Sequence, residues 1–181
     1  MRVQRIVKGL VVVTAAAGTL LIGSLAAAAP AVTAALTGTS EWSGGTLDDP
    51  ATVTAVHGTF DGTLGKGTYE GTLTGGTSFD CDFPYCQPVT GAITFSGHRG
   101  SFTGVVQPGS VVGIFDIHPR VQSRTFTLTL RVTDGTRGYT HADGLLTLSY
   151  TSTTTRFFDD NFQLHIVVSD AGSLTGDLHS A

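Results

Sequence analysis

The residues best suited to proton chemistry lie in Phe115-Asp116-Ile117-His118-Pro119. On an extended chain Asp116 and His118 point the same way, because side chains two apart share a face of a strand. A carboxylate beside an imidazole can hold the ring's tautomer and prepare it to accept a proton. Arg131 or Arg99, brought close by the fold, would complete a set that activates a hydroxyl or holds an anion. The plainer alternative is a strand end near Pro119 with polar side chains entering water. A second pair, Asp61 and Glu70, would face each other if their segment folds as a hairpin. It would be either a carboxylate pair for acid–base work or two solvated acids on an outer face.

Other chemistries lack their signatures. There is no Gly-x-Ser-x-Gly elbow, no His-Glu-x-x-His and no cysteine–histidine metal spacing. Asp48-Asp49 and Asp159-Asp160-Asn161 supply too few oxygens for the ~6–8 ligands of calcium. The glycines at 62, 65 and 67 fit a hairpin better than a nucleotide loop. No metal and no cofactor are therefore expected. The single tryptophan, Trp42, reads as a plug at one end of the fold rather than a sugar platform.

The two cysteines stand in Cys81-Asp82-Phe83-Pro84-Tyr85-Cys86. Their compartment follows from the N-terminus. Arg2, Arg5 and Lys8 precede an apolar run from Leu10 to Leu25 and a small-residue stretch from Ala26 to Ala35. That is the order of a secretory signal, assigned to residues 1–35 with cleavage between 28 and 35. An uncleaved anchor needs ~20 strongly apolar residues, and this run is diluted by Ala, Gly and Thr. No cysteine stands at the junction for a lipid, and Arg2 and Arg5 are not adjacent as a twin-arginine signal requires. Export places the cysteines in an oxidising space, where a close pair forms a local disulfide.

Removing the signal leaves 7 basic residues against 14 acids, so the mature net charge moves from -4 to about -7. Lys66 is then the only lysine. Without a basic stripe, the counterion release that drives nucleic-acid binding is missing, and adsorption to anionic membrane is disfavoured.

The elements that must position these residues are strands. Gly and Thr recur throughout residues 36–181, and no stretch has helical apolar spacing. In residues 125–133, Phe126, Leu128, Leu130 and Val132 alternate with Thr125, Thr127, Thr129, Arg131 and Thr133. Residues 89–95 and 162–168 alternate likewise. In residues 58–73 a two-residue turn at Gly65-Lys66 would pair Gly62 with Tyr69 and Phe60 with Gly71. Each aromatic then covers a glycine. Turn signals at residues 96–100, 108–109, 134–135 and 143–144 separate the remaining strands, and residues 151–155 read as a polar loop. Eight or nine short strands without a covering helix make a barrel or a sandwich.

Residues 60–69, Gly91-Ala-Ile-Thr-Phe-Ser-Gly-His-Arg-Gly-Ser-Phe102, Val132-Thr-Asp-Gly-Thr-Arg-Gly-Tyr139 and Ala142-Asp-Gly144 together resemble the allene oxide cyclase and dirigent-like β-barrels, in their small secreted actinobacterial form. The Asp134-Gly-Thr-Arg-Gly-Tyr139 turn departs from that family's usual order of Gly and Arg. The resemblance implies one antiparallel up-and-down barrel of about eight strands with an apolar lumen. Functionally it leaves two expectations. One is a non-catalytic secreted barrel that binds a small apolar ligand or serves as a cell-envelope interaction module. The other is an isomerase or cyclase that shapes its substrate in the lumen. No family catalytic residue maps onto this chain.

Overall fold

The computed structural model describes residues 31–43, 53–81, 85–118, 121–158 and 164–180. They form β1 (Ala31–Ser43), β2 (Val53–Gly62), β3 (Gly65–Gly75), β4 (Tyr85–Gly97), β5 (Gly100–Val106), β6 (Val111–His118), β7 (Val121–Gly135), β8 (Asp143–Phe158) and β9 (Leu164–His179). One 3-10 turn, Arg137–Tyr139, joins β7 to β8.

All strand pairings are antiparallel, and the sheet closes because β1 pairs with both β2 and β9. The result is an up-and-down barrel with eight positions around its wall. Nine strands fill eight positions because β5 and β6 share one. Both pair with β4, at residues 92–97 and 85–88, and both pair with β7. Pro108-Gly109 separates two strands, as its sequence suggests, but the chain resumes its direction afterwards. Two extra residues are extruded as a bulge, with Gly109 at φ +90°. Ser110 closes the gap by accepting the Thr129 N–H on its hydroxyl at 3.0 Å.

Alternation sorts side chains as the strand pattern demands. Phe126, Leu128, Leu130 and Val132 are buried, as are Val89, Ile93 and Phe95. Phe60, Leu64, Tyr69 and Leu73 also face inward. Their hairpin, however, turns at residues 63–64, with Gly62 opposite Gly65. Relative to a Gly65-Lys66 turn, the pairing slides by four residues. Tyr69 meets Gly58 rather than Gly62, and Phe60 meets Gly67 rather than Gly71. An even slide preserves the faces, and the aromatic-over-glycine arrangement survives on different glycines. A Cβ on Gly67 would lie 2.5 Å from the Phe60 ring.

Residues 151–155 are not a loop. They lie in β8, paired on both sides with β7 and β9. Ser152 and Thr154 point inward and are buried. The barrel also takes in residues 31–35, ahead of the expected domain start at 36, with Val32 and Ala34 buried in β1.

The two ends differ. At one, the short connections β2–β3, β4–β5 and β7–β8 meet the start of β1 and the end of β9. Leu64, Tyr139, Ala142 and Leu178 close it. Phe95 stacks on Phe102 with ring centres 5.1 Å apart, and Tyr139 meets Phe102 edge-on at 5.1 Å. The other end carries the β1–β2, β3–β4, β6–β7 and β8–β9 connections. Among the described residues no helix is long and apolar enough to cross a membrane.

Candidate functional site

The inward positions change character along the barrel. From the closed end to the middle they are apolar, and the gap bounded by Val56, Tyr69, Leu73, Ile93, Phe126, Leu128, Leu148 and Tyr150 admits no water-sized sphere. A lumen-sized ligand site is therefore absent at this level. The gap of about 70 Å³ under Arg99, Tyr139 and Leu178 at the closed end is also too small, since ligand pockets run ~300–1,000 Å³.

Beyond the apolar layer, towards the loop-bearing end, the same inward rows turn polar. β8 contributes Tyr150, Ser152 and Thr154, β9 contributes Asp170, β1 contributes Ser40, and β2 contributes Thr54; all are buried. Cross-strand pairing sets them side by side, with Ser152 opposite Asp170 and Arg124 of β7 opposite Ser152. Tyr150 donates its phenol proton to Oδ2 of Asp170. Ser40 donates to Oδ1 at 3.4 Å and shares a 2.8 Å hydrogen bond with Ser152. A carboxylate only 5% exposed is thus held by two hydroxyls, the condition on which a buried acid is tolerated.

Tyr69 adds a second phenol. It meets Tyr150 edge-on with ring centres 6.3 Å apart. Its hydroxyl lies in the space left by Gly38 and Gly58, whose absent Cβ atoms would fall 2.5 and 2.7 Å from it. It lies near Tyr150 but forms no hydrogen bond of good geometry. Burial pushes the Tyr69 phenol above its ordinary range; the neighbouring Tyr150 hydroxyl works the other way. Burial, then the hydrogen bond to Asp170, pushes the Tyr150 phenol far up. Both phenols stay protonated at neutral pH. The cluster offers hydroxyl donors, hydroxyl acceptors and one carboxylate, with the Arg124 guanidinium in the neighbouring strand and an apolar floor beneath.

The constellation expected from Asp116, His118 and Arg131 is not assembled. Asp116 pairs with Gln122, nine residues along β7 from Arg131, or roughly 30 Å at strand rise. Arg131 is exposed on the outer face, 3.8 Å from Asp143. Arg99 is exposed at the closed end, with its guanidinium 5.5 Å from the centre of the Tyr139 ring. The side chains of Asp116, His118 and Trp42 lie outside the described residues, as do Asp48, Asp49, Asp159, Asp160 and Asn161. Asp61 and Glu70 do not face each other. Asp61 is opposite Lys66, at 3.3 Å, and Glu70 is opposite His57. Cys81 and Cys86 are joined by a disulfide. It closes a small loop on β4 at the loop-bearing end, where Phe79 and Cys86 exchange backbone hydrogen bonds.

Sequence reasoning passed over Tyr150 and Asp170, although a signal for each is present. Tyr150 continues the Leu146, Leu148 alternation, and Asp170 stands four residues before Leu174 on the same face. The residues that carry the family resemblance lie mainly at the closed end, where Tyr139 is a plug. Comparison with protein-family models, curated proteins and solved structures gave no match.

Proposed function

We propose that the chain is an exported, non-catalytic barrel that binds a small, mostly apolar molecule by a polar group at the loop-bearing end. One observation carries the reading: the Asp170–Tyr150–Ser40–Ser152 cluster lies buried directly above a filled apolar layer. A few convergent polar groups on an apolar floor are the usual make-up of a small-molecule site. The filled middle moves the ligand from the lumen proper to this end. The Asp170 carboxylate suits a hydroxyl or amine donor on the ligand, with Ser152 and Ser40 beside it. The Cys81–Cys86 disulfide supports export, since such bonds persist in oxidising compartments.

The test is to purify the exported protein from its own medium, extract it with organic solvent and identify what is released. A stoichiometric small molecule is expected from the wild type and not from folded Asp170→Asn. If extraction yields nothing and no compound in a broad library raises the melting temperature of wild type above that of Asp170→Asn, the reading fails.

A second reading, an isomerase or cyclase of the allene oxide cyclase or dirigent-like kind, draws support from the same pair. A protonated phenol bonded to a carboxylate in a dry site can give a proton to one substrate atom while the carboxylate takes one from another. Deuterium from solvent entering a bound compound would favour this reading over simple binding.

A further inference from the structure

We propose that two copies of this chain pair through the outer wall near the closed end, about a two-fold axis beside Leu145. The contact is separate from the Asp170 cluster and rests on one row of outward positions.

Phe79, Val105 and Leu145 are the large apolar side chains exposed among the described residues. Two of them share a row. Strand register sets Val105 opposite Arg131, Arg131 opposite Leu145, Leu145 opposite Asp177, and Asp177 opposite Ala31. All five are exposed, Leu145 by 54%. Across the wall the row runs apolar, cation, apolar, anion, apolar. It spans five strands, or roughly 20 Å at the spacing of neighbouring strands.

That order is its own complement. A two-fold axis normal to the wall beside Leu145 turns the row end for end. Each Arg131 then meets the partner's Asp177, each Val105 meets the partner's Ala31, and the two leucines meet at the centre. The flanking rows fit as well. Asp143 lies opposite His179 on the side of the closed end, and Thr129, Thr147 and Thr175 lie side by side towards the middle. The same rotation sets Asp143 against the partner's Thr147 and His179 against the partner's Thr129, so polar groups meet polar groups. A groove of about 290 Å³, lined by Arg131, Asp143, Gly144, Leu145, Asp177 and His179, receives the partner's Leu145. Within one chain Arg131 pairs with Asp143 at 3.8 Å; both are exposed, so the pair is weak and the guanidinium can turn to the partner.

A self-complementary patch closes on itself as a dimer and leaves no open end for a filament. Leu145 stands one row from the end of the wall, so the two barrels point in opposite directions and overlap only near their closed ends. The contact is small, which places the dimer among weak, transient associations. Both Asp170 clusters stay clear of it.

Sedimentation equilibrium of the exported protein from about 1 µM to about 1 mM should show monomer and dimer exchanging. Leu145→Asp should be monomeric across that range. Arg131→Asp and Asp177→Arg should each weaken self-association by about tenfold or more, since like charges then face each other. Mixed in equal amounts, these two variants should pair with one another, because every contact again joins opposite charges. Circular dichroism of each variant should match wild type, as the substituted side chains are exposed. A wild type that stays monomeric or forms a trimer, a Leu145→Asp protein that still dimerises, or a mixture that stays monomeric would each overturn the proposal. Asp170→Asn should dimerise as wild type does, so failure of the binding reading and failure of this one are read separately.

Discussion

Tyr150 lies directly opposite Gly172, yet its hydroxyl bonds to Asp170, two residues along β9. The diagonal reach depends on the missing side chain: a Cβ on Gly172 would meet the Tyr150 ring at 3.1 Å and its Cα at 2.9 Å. Gly172→Val should push the ring off Asp170. The expected loss is about 2 kcal/mol or more, from overpacking and a weakened bond to a buried acid. Urea denaturation measures it, and ligand retention should fall in parallel.

Removing the hydroxyl alone isolates the bond. Tyr150→Phe leaves the ring and takes one donor from the carboxylate, at an expected cost of about 1.5–3 kcal/mol. Ser40→Ala removes the longer bond to the same acid and the 2.8 Å bond to Ser152 together, so it should also destabilise by about 1–3 kcal/mol. No loss in either variant would contradict the assigned geometry. Thermal unfolding with both proteins at one pH is sufficient.

Alkaline titration has a defined sign. Tyr69 and Tyr150 have folded pKa values raised above the ordinary 10.0, so the folded state holds these protons more tightly than the unfolded state. Their contribution is fully present below about pH 10 and is lost as pH rises beyond it. Stability should be flat to about pH 9 and then fall, with a shallower fall in Tyr150→Phe. Ultraviolet absorbance should show these phenols ionising only as the barrel unfolds.

The disulfide closes a short loop, so its entropic contribution is modest. Replacing Cys81 and Cys86 by Ser and Ala should cost about 2 kcal/mol. In a barrel of this size that lowers the melting temperature by roughly 4–8 °C. Because the loop borders the polar end, amide hydrogen exchange should quicken at Phe79 and Cys86, whose mutual bonds it pins, and not at Phe95 or Leu130.

The fold was readable because the apolar residues of the strands alternate. Burial of Phe126, Leu128, Leu130 and Val132 requires only a period of two. The hairpin register was not readable to the residue. Glycines at 62, 65 and 67 permit turns two residues apart, and both keep Phe60 and Tyr69 inside. The site was misread for a different reason. Arg131 was grouped with Asp116 and His118 by chemical type, whereas its distance from them follows from pairings distant in sequence. Ser152 and Thr154 read as part of a polar loop because they are polar, but they and Asp170 occupy inward positions of long strands. Alternation located the interior; it gave no sign that one end of the interior is polar.

The seam between β5 and β6 has a consequence for engineering. Strand pairing with β4 and β7 holds both halves of the wall, while Pro108 and Gly109 project outward, and a Cβ on Gly109 would have nothing within 4 Å. Foreign peptide spliced between these two residues would leave the barrel without displacing a rung. The molecule thus carries a natural attachment point for a tag or a cargo, midway along a closed wall and away from both of its ends.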